Sequence, residues 1–263
     1  MPHKKTFGKA LLLVLAASCL ASANFAQKKT VRVAAAADLQ VAMPEIAKAF
    51  EARFGTTIDV AYGSSGNFYA QIQNGAPLDV FFSADNEYPR KLEESGFAEP
   101  HSAVIYGIGR IVLWMPANTK CNPERDGWQC LQEPAVRKIA IANPAHAPYG
   151  RAAVAALQKA GIYDAVKAKL VLGENISQAA QFVQSGNAEA GIIANSLTLS
   201  PAMQGGKKWI ISAELYPRIE QTVVVLKSAK EKLAAQEFVK FVTQGHGREI
   251  LAKYGFEPPQ PVR

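Results

Sequence analysis

The feature that most constrains this chain is a repeated order of elements: a short apolar strand, a turn of small residues, and then a helix. Val31–Met43 (VRVAAAADLQVAM) and Tyr62–Asn67 (YGSSGN) both show it. A helix that begins after such a turn presents unpaired backbone N–H groups and the positive end of its dipole. Two such helix starts directed at one point form an anion site that needs no cation or metal. The pattern therefore predicts an anion-binding edge on an α/β sheet.

The segment from Thr30 to Gly96 alternates three strands with three helices joined by short links. The predicted strands and helices, in chain order, are Thr30–Ala36, Leu39–Phe54, Thr57–Tyr62, Asn67–Asn74, Leu78–Phe82 and Glu87–Glu94. This order is typical of a parallel sheet covered by helices, whose right-handed crossovers bring the carboxyl ends of the strands to one edge. Asp38, Ser65 and Ser83 fall at that edge, where ligands bind in open α/β sheets.

A second unit of the same kind follows a glycine-interrupted extended run, Val104–Met115, which we interpret as a crossing between lobes. The unit's predicted elements are Lys138–Ala142, Arg151–Ala160, Leu170–Leu172, Ile176–Gln184, Ala190–Ile193 and Lys208–Ile211. Thr222–Leu226 is predicted to be a return strand, and two amphipathic helices, Ala229–Thr243 and Gly247–Tyr254, end the pattern. We therefore predict two α/β lobes, residues 27–107 with 219–263 and residues 108–218, that close on a ligand by a hinge motion.

The first 26 residues have the features of a secretory signal peptide. A basic start and a short apolar run precede two small-residue cleavage sites, after Ala23 and after Ala26. Lipid attachment at Cys19 is the alternative, although the residues before it fit that signal poorly. The rest of the sequence has no stretch long and apolar enough to cross a membrane, so a periplasmic protein is expected.

Net charge and cysteine content further limit the functional classes to which the protein can belong. Loss of three lysines with the leader lowers the formal net charge from +7 to +4, and the excess is scattered rather than grouped with aromatics, which argues against nucleic-acid binding. Cys121 and Cys130 are the cysteines that remain after the leader. In an oxidising compartment they are expected to form a disulfide across a turn-rich segment, adding about 2–3 kcal/mol of stability. Their spacing is not that of a CxxC metal or redox pair.

Catalytic chemistry is difficult to place in this sequence. The histidines beyond the leader, His101, His146 and His246, lack metal-ligand spacing, and no P-loop, GxSxG or GxGxxG motif occurs. Ser65 has no assignable general base. A glycine-flanked loop whose N–H and hydroxyl groups all donate hydrogen bonds is the better use of GSSG. We therefore predict a binding protein without a cofactor, and keep a secreted hydrolase using Ser65 or Asp85 as the alternative class.

Three segments carry a resemblance to a known family: AYGSSGNFYAQIQNGAPLDVFFSAD, IANPAHAPYGRAA and the closing KYGF. Together they resemble the periplasmic molybdate-binding proteins of ABC transporters, within the type II periplasmic solute-binding family, over essentially the whole chain beyond the leader. The resemblance implies two lobes, each a mostly parallel sheet flanked by helices, with the ligand cleft between them. It also implies that a monomer captures a tetrahedral oxyanion, molybdate or tungstate, and delivers it to a membrane permease.

The same resemblance assigns ligand contacts to particular positions. It implies that Ser65 donates from its hydroxyl and N–H groups, and that Tyr149 and Ile176 donate backbone N–H groups from two helix starts in the second lobe. Ser64 is left open between ligand contact and loop structure. Some relatives carry a ligand-contacting tyrosine where this chain has Ala194, so that contact is expected to be absent.

The remaining position of the predicted site, Ala37–Asp38, supports two interpretations. Asp38 is either the N-cap of the helix predicted over Leu39–Phe54 or a side chain that faces the ligand. A carboxylate facing the ligand would repel a fully deprotonated oxyanion and would favour a ligand with its own proton, such as hydrogen phosphate or a small acid. A binding protein for such a ligand is therefore the second functional hypothesis.

Overall fold

The computed structural model of the chain describes residues 29–259. The predicted signal peptide, its cleavage sites and Cys19 lie outside the described residues. Within them, no helix has both the length and the apolar composition needed to cross a membrane.

The first of two five-stranded sheets combines the beginning of the described chain with a strand close to its end. Its strands are β1 (Thr30–Ala36), β2 (Thr57–Gly63), β3 (Val80–Ser83), β4 (Val104–Gly109) and β10 (Ile219–Val225). The order is β2-β1-β3-β10-β4, with β1 parallel to β2 and β3 and with β10 antiparallel to β3 and β4. Its helices are α1 (Met43–Phe54), α2 (Ser65–Gln73), α3 (Glu87–Glu94), α9 (Lys232–Gln244) and α10 (His246–Lys253).

The second sheet repeats this plan with the intervening part of the chain. Its strands are β5 (Ile111–Met115), β6 (Ile139–Ala142), β7 (Leu170–Gly173), β8 (Ala190–Ala194) and β9 (Lys207–Ile210), in the order β7-β6-β8-β5-β9. Strands β6, β7 and β8 are parallel, and β5 runs antiparallel to β8 and β9. Its helices are α4 (Pro123–Asp126), α5 (Gln129–Gln132), α6 (Pro148–Lys159), α7 (Tyr163–Val166) and α8 (Ile176–Gln184). Two mostly parallel sheets flanked by helices confirm the predicted fold class.

Short 3₁₀ helices occupy several of the connections, and two of them adjoin the cavity described below. The 3₁₀ segments are Ala37–Gln40, Lys167–Lys169, Asn195–Leu199, Pro201–Met203 and Ala213–Leu215. The chain passes from the first sheet to the second at Arg110, between β4 and β5, and returns between β9 and β10.

The apolar face of α1 packs against the C-terminal helices, which places the end of the described chain on the first sheet. The ring of Phe50 lies 5.0 Å from that of Phe238 and 5.5 Å from that of Phe241, both edge-on. Gly55 ends α1 with a φ of 69°, a conformation that glycine adopts without steric cost. The return strand and its two helices thus belong to the core of the first lobe rather than to a tail.

The segment between the cysteines forms two short helices, α4 and α5, instead of the turns expected there. The Asn122 side chain accepts a hydrogen bond from the Glu124 N–H at 3.1 Å and so caps α4. Cys121 and Cys130 are joined by a disulfide, nine positions apart in sequence. Both sulfurs are therefore used in a covalent bond within the second lobe.

Candidate functional site

A small cavity lies between the two sheets, with residues of both lobes in its wall. The lining residues are Ala36, Ala37, Asp38, Gly63, Ser64, Ser65, Ala84, Ala147, Pro148, Tyr149 and Ile176. All six positions expected to bind the ligand are in this set. Among the described residues that line the cavity, none is lysine, arginine or histidine, so any positive potential there comes from backbone groups.

Four helix starts supply those backbone groups. Ser65 is the first residue of α2, Tyr149 the second of α6 and Ile176 the first of α8, while Ala37 begins the 3₁₀ segment after β1. The first N–H groups of a helix have no acceptor within the helix and carry the positive end of its dipole. The cavity therefore collects N–H donors from both lobes around one point, an arrangement suited to an anion.

The hydroxyl of Ser65 is oriented by a backbone group of the neighbouring loop. The N–H of Ala84 donates to Ser65 Oγ at 2.9 Å, and the serine is 1% exposed. Since Oγ already accepts a hydrogen bond on that side, its own proton is free to donate toward the cavity. This geometry suits the donor role that the family resemblance assigns to Ser65.

Ser64 contacts the other lobe directly. His146 Nδ1 lies 2.9 Å from Ser64 Oγ, and Nε2 of the same ring lies 3.7 Å from Glu174 Oε1. The backbone N–H of Gly66 donates to the carbonyl oxygen of His146 at 2.9 Å. The histidine thus stands next to Ser64, not next to Ser65, and forms part of a contact that holds the lobes together.

The interpretation of Asp38 as the N-cap of a helix over Leu39–Phe54 is wrong. Asp38 lies inside the 3₁₀ segment Ala37–Gln40, and α1 begins only at Met43, after Ala42 and without a side-chain cap. Pro44 explains the late start. A helix that began at Leu39 would need a hydrogen bond from residue 44 to the carbonyl of residue 40, and proline has no N–H to make it.

The Asp38 side chain is instead fully buried in a polar network that spans the lobes. Its Oδ2 accepts hydrogen bonds from the Tyr149 hydroxyl at 2.9 Å and from Gln221 Nε2 at 2.6 Å. Gln221 Nε2 also lies 2.7 Å from the Tyr149 hydroxyl, and Gln221 Oε1 accepts from the Tyr106 hydroxyl. The other carboxyl oxygen, Oδ1, is buried without a hydrogen-bond partner.

Burial dominates the electrostatics of this network. Loss of solvation raises the pKa of Asp38 from 3.8 to about 7, although the hydrogen bonds from Gln221 and Tyr149 oppose the shift. The pKa of Tyr149 is raised well above its usual value, first by burial and then by the nearby Asp38 charge. The same two causes act on the pKa of Tyr106. The tyrosines therefore stay protonated and serve as donors.

Tyr149 combines two roles at the cavity. Its backbone N–H lies in the first turn of α6, and its hydroxyl reaches across to the first lobe. Gly109 leaves room for this side chain, because a Cβ at that position would lie 2.3 Å from the Tyr149 hydroxyl oxygen and 2.6 Å from Gln221 Nε2. A side chain larger than hydrogen at residue 109 would displace the network.

Gln221, Tyr106 and His146 also contribute to the site, although no sequence pattern predicted them there. Gln221 is fully buried in β10, where it pairs with Asp38. A glutamine close to the apolar end of the strand IEQTVVV was the available signal. Ala194 is buried in β8 and is not among the residues lining the cavity.

Further cross-lobe contacts surround the cavity. Arg151 of α6 donates to Asp85 Oδ2 at 2.6 Å and stacks over the ring of Tyr88 at 5.5 Å. Asp85 Oδ1 also accepts from the Tyr88 N–H at 3.2 Å, in the first turn of α3. On the opposite side, Ser196 donates to the carbonyl oxygen of Asp38 at 2.8 Å. The two lobes are in a closed arrangement.

Comparison with known proteins agrees with this architecture. The family model described as bacterial extracellular solute-binding protein matches residues 31–257. Two curated relatives named molybdate-binding protein ModA are similar over nearly their full lengths. The one from Azotobacter vinelandii is 40% identical, covering 94% of this chain and 96% of the relative. The one from Rhodobacter capsulatus is 38% identical, covering 94% of each.

A solved structure gives the same result in three dimensions. The periplasmic molybdate-binding protein of Azotobacter vinelandii superposes with a TM-score of 0.82 at 34% identity, covering 88% of this chain and all of that one. These relatives are binding proteins and not enzymes, which confirms the predicted class and removes the hydrolase alternative. The chain belongs to the bacterial extracellular solute-binding proteins.

Proposed function

We propose that this protein is the periplasmic molybdate- or tungstate-binding component of an ABC transporter. Four helix starts, from both lobes, converge on one buried cavity, and this convergence carries the proposal. None of the described residues that line the cavity has a cationic side chain. Such a cavity binds a tetrahedral dianion through neutral donors. The names of the similar proteins from Azotobacter and Rhodobacter support the same ligand class.

In this proposal the six lining residues named from the sequence have separate tasks. Ser65 donates from its hydroxyl and its N–H, while Ala37, Tyr149 and Ile176 donate backbone N–H groups. Ser64 acts indirectly, since its hydroxyl is paired with His146 across the cleft. Asp38 adjoins the anion.

The two lobes are proposed to act as a clamp. One jaw is built on the first sheet, which includes β4 as far as Gly109 and β10 from Ile219, so the predicted boundary at residues 107/108 moves to Arg110. The second sheet forms the other jaw, and the two chain crossings near Arg110 and Ile219 serve as the hinge. The closed conformation carries the anion to a membrane permease, and the protein works as a monomer after removal of its leader.

Calorimetric titration of the purified protein with molybdate, tungstate, sulfate and phosphate tests the ligand. We expect tight binding of molybdate and tungstate. We expect much weaker binding of sulfate, because donors in fixed positions cannot all reach a smaller anion at hydrogen-bonding distance. Ser65→Ala removes one hydroxyl donor to a charged group and should weaken molybdate binding by about 10- to 100-fold, equivalent to roughly 1.5–3 kcal/mol.

Ser185→Ala is the matched control, since Ser185 ends α8 at an exposed position distant from the cavity. It should bind molybdate like the unmodified protein. Absence of heat with molybdate and tungstate, together with clear binding of phosphate, would refute the proposed ligand class.

A further inference from the structure

The carboxyl group of Asp38 is satisfied on one side only. Oδ2 accepts two hydrogen bonds, whereas Oδ1 is buried and has no partner. A buried charged oxygen without a partner is costly, and the whole side chain is 0% exposed. Asp38 lines the cavity, and Oδ1 is its carboxyl oxygen without a hydrogen-bond partner, so we take Oδ1 as the oxygen available to a bound ligand.

The network around Oδ2 determines where a proton on this carboxyl group would lie. The Tyr106 hydroxyl donates to Gln221 Oε1, which fixes the amide so that Nε2 is directed at Asp38 Oδ2. The Tyr149 hydroxyl donates to the same oxygen. Gln221 Nε2 can only donate and the Tyr149 hydroxyl donates to Oδ2 in this arrangement, whereas Oδ1 has no hydrogen-bond partner. The acid proton of Asp38 is therefore placed on Oδ1.

No cation compensates the carboxylate within the described residues. The elements packed around Asp38 contribute the neutral groups of Tyr106 from β4, Tyr149 from α6, Gln221 from β10 and Ser196 from the segment after β8. The backbone N–H groups of Asp38 and Leu39 also lower its pKa, although neither makes a hydrogen bond to Oδ1. Arg151, which is paired with Asp85 and Glu87, is not among the residues that line the cavity.

We propose that Asp38 carries a proton on Oδ1 when the anion is bound and donates a hydrogen bond to it, so that the site takes up one proton with its ligand above neutral pH. This inference rests on the proposed function. In the neutral form, Asp38 becomes one more donor in a cavity of donors, and the repulsion expected between a carboxylate and a dianion disappears.

Burial raises the pKa of Asp38 to about 7, which supports a change in its protonation near neutral pH. Below neutral pH the free protein already holds the proton, and binding needs no uptake. Above neutral pH the free carboxylate must acquire a proton, so affinity falls as the pH rises. A charged Asp38 in the complex would give the opposite selectivity, since it would accept the proton of hydrogen phosphate.

The test is calorimetry of molybdate binding between about pH 6 and 8.5 in buffers of different ionisation enthalpy. We expect proton uptake near zero at the acidic end, rising toward one per molybdate at the alkaline end, with affinity falling up to about tenfold per pH unit above neutrality. Asp38→Asn, which keeps the shape and supplies a permanent donor, should bind with neither uptake nor this pH dependence.

His146→Asn is the matched control, because the imidazole of His146 contacts Ser64 beside the cavity. Proton uptake should persist in it, whatever its affinity. Loss of uptake in this variant, absence of uptake in the unmodified protein at alkaline pH, or a wild-type pH dependence in Asp38→Asn would each overturn the inference. Tighter phosphate than molybdate binding at alkaline pH would do the same.

These results separate the two proposals. If the unmodified protein fails to bind molybdate and tungstate at every pH, the proposed function is wrong. If it binds molybdate without proton uptake, the proposed function stands and the role of Asp38 is wrong. Should Asp38→Asn fail to fold, as judged by its melting transition, the buffer series on the unmodified protein decides alone.

Discussion

At the scale of single residues, the site depends on a few buried polar side chains whose partners come from distant parts of the chain. Asp38 and Gln221 are 183 positions apart and form a direct hydrogen bond. The residue types at positions 64 and 65 predicted a loop of donors, and the structure places both residues with Ala37 and Asp38 around one cavity. The orientation of Asp38 depended on Pro44 and on three partners far along the chain, which local patterns do not reveal.

The raised pKa of Asp38 predicts a pH-dependent stability for the ligand-free protein. The folded protein holds the Asp38 proton up to about pH 7, whereas the unfolded chain releases it near 3.8. The free energy of unfolding therefore decreases as the pH rises through this window, by at most about 4 kcal/mol. Asp38→Asn does not titrate, so its stability relative to the unmodified protein should increase between about pH 4 and 7 and then level off.

Thermal or urea unfolding of both proteins at a series of pH values measures this difference. Asp164→Asn, which removes an exposed carboxylate next to Lys167, serves as the comparison for loss of a surface charge. A stability difference between Asp38→Asn and the unmodified protein that is the same at acidic and alkaline pH would contradict the burial argument.

At the scale of elements, alternation of strands and helices was enough to predict the fold class, because most strands contain a buried apolar run and most helices show a clear apolar face. What the pattern missed has local causes. Helices α4 and α5 depend on the Asn122 cap and on Pro123 in a segment rich in turn residues. The amphipathic pattern also does not account for Leu233, which is apolar but 80% exposed in the first turn of α9.

The contact between α2 and the loop before α6 depends on the absence of a side chain at Gly66. A Cβ there would lie 2.7 Å from the carbonyl oxygen of His146 in the other lobe. Gly66→Ala should therefore oppose closure and weaken molybdate binding by about 10- to 100-fold, the cost of overpacking by roughly 1–3 kcal/mol. The melting temperature of the ligand-free protein should fall little, since the other atom 2.7 Å from that Cβ within the first lobe is the Tyr88 hydroxyl, at the end of a side chain that can move.

Titration calorimetry measures the molybdate affinity of Gly66→Ala, and thermal unfolding measures its melting temperature. Gly205→Ala is the matched control, because a Cβ at Gly205 meets no atom within 4 Å. Wild-type affinity in Gly66→Ala would show that the lobes bind the ligand without the close approach of α2 to His146.

At the scale of the whole molecule, two sets of polar groups have opposite effects on closure of the lobes. Cross-lobe hydrogen bonds such as Arg151–Asp85 and Gly66–His146 favour closure. The unpaired N–H groups around the cavity oppose closure when no acceptor enters, since each buried donor without a partner costs about 1–3 kcal/mol. An anion removes this penalty at several donors at once, so it is the ligand that shifts the balance toward the closed form.

Small-angle scattering therefore should detect a ligand-dependent change in shape. We expect the ligand-free protein in solution to have a larger radius of gyration than the closed structure, and molybdate to reduce it to the value calculated for that structure.

Chloride at equal ionic strength is the control for screening, and Gly66→Ala should remain expanded at a molybdate concentration that closes the unmodified protein. The donors that oppose closure lie within each single molecule. The change in radius of gyration should therefore not depend on protein concentration, as expected for a monomer. Identical scattering with and without molybdate, at concentrations where calorimetry shows saturation, would mean that the anion enters a clamp that is already closed.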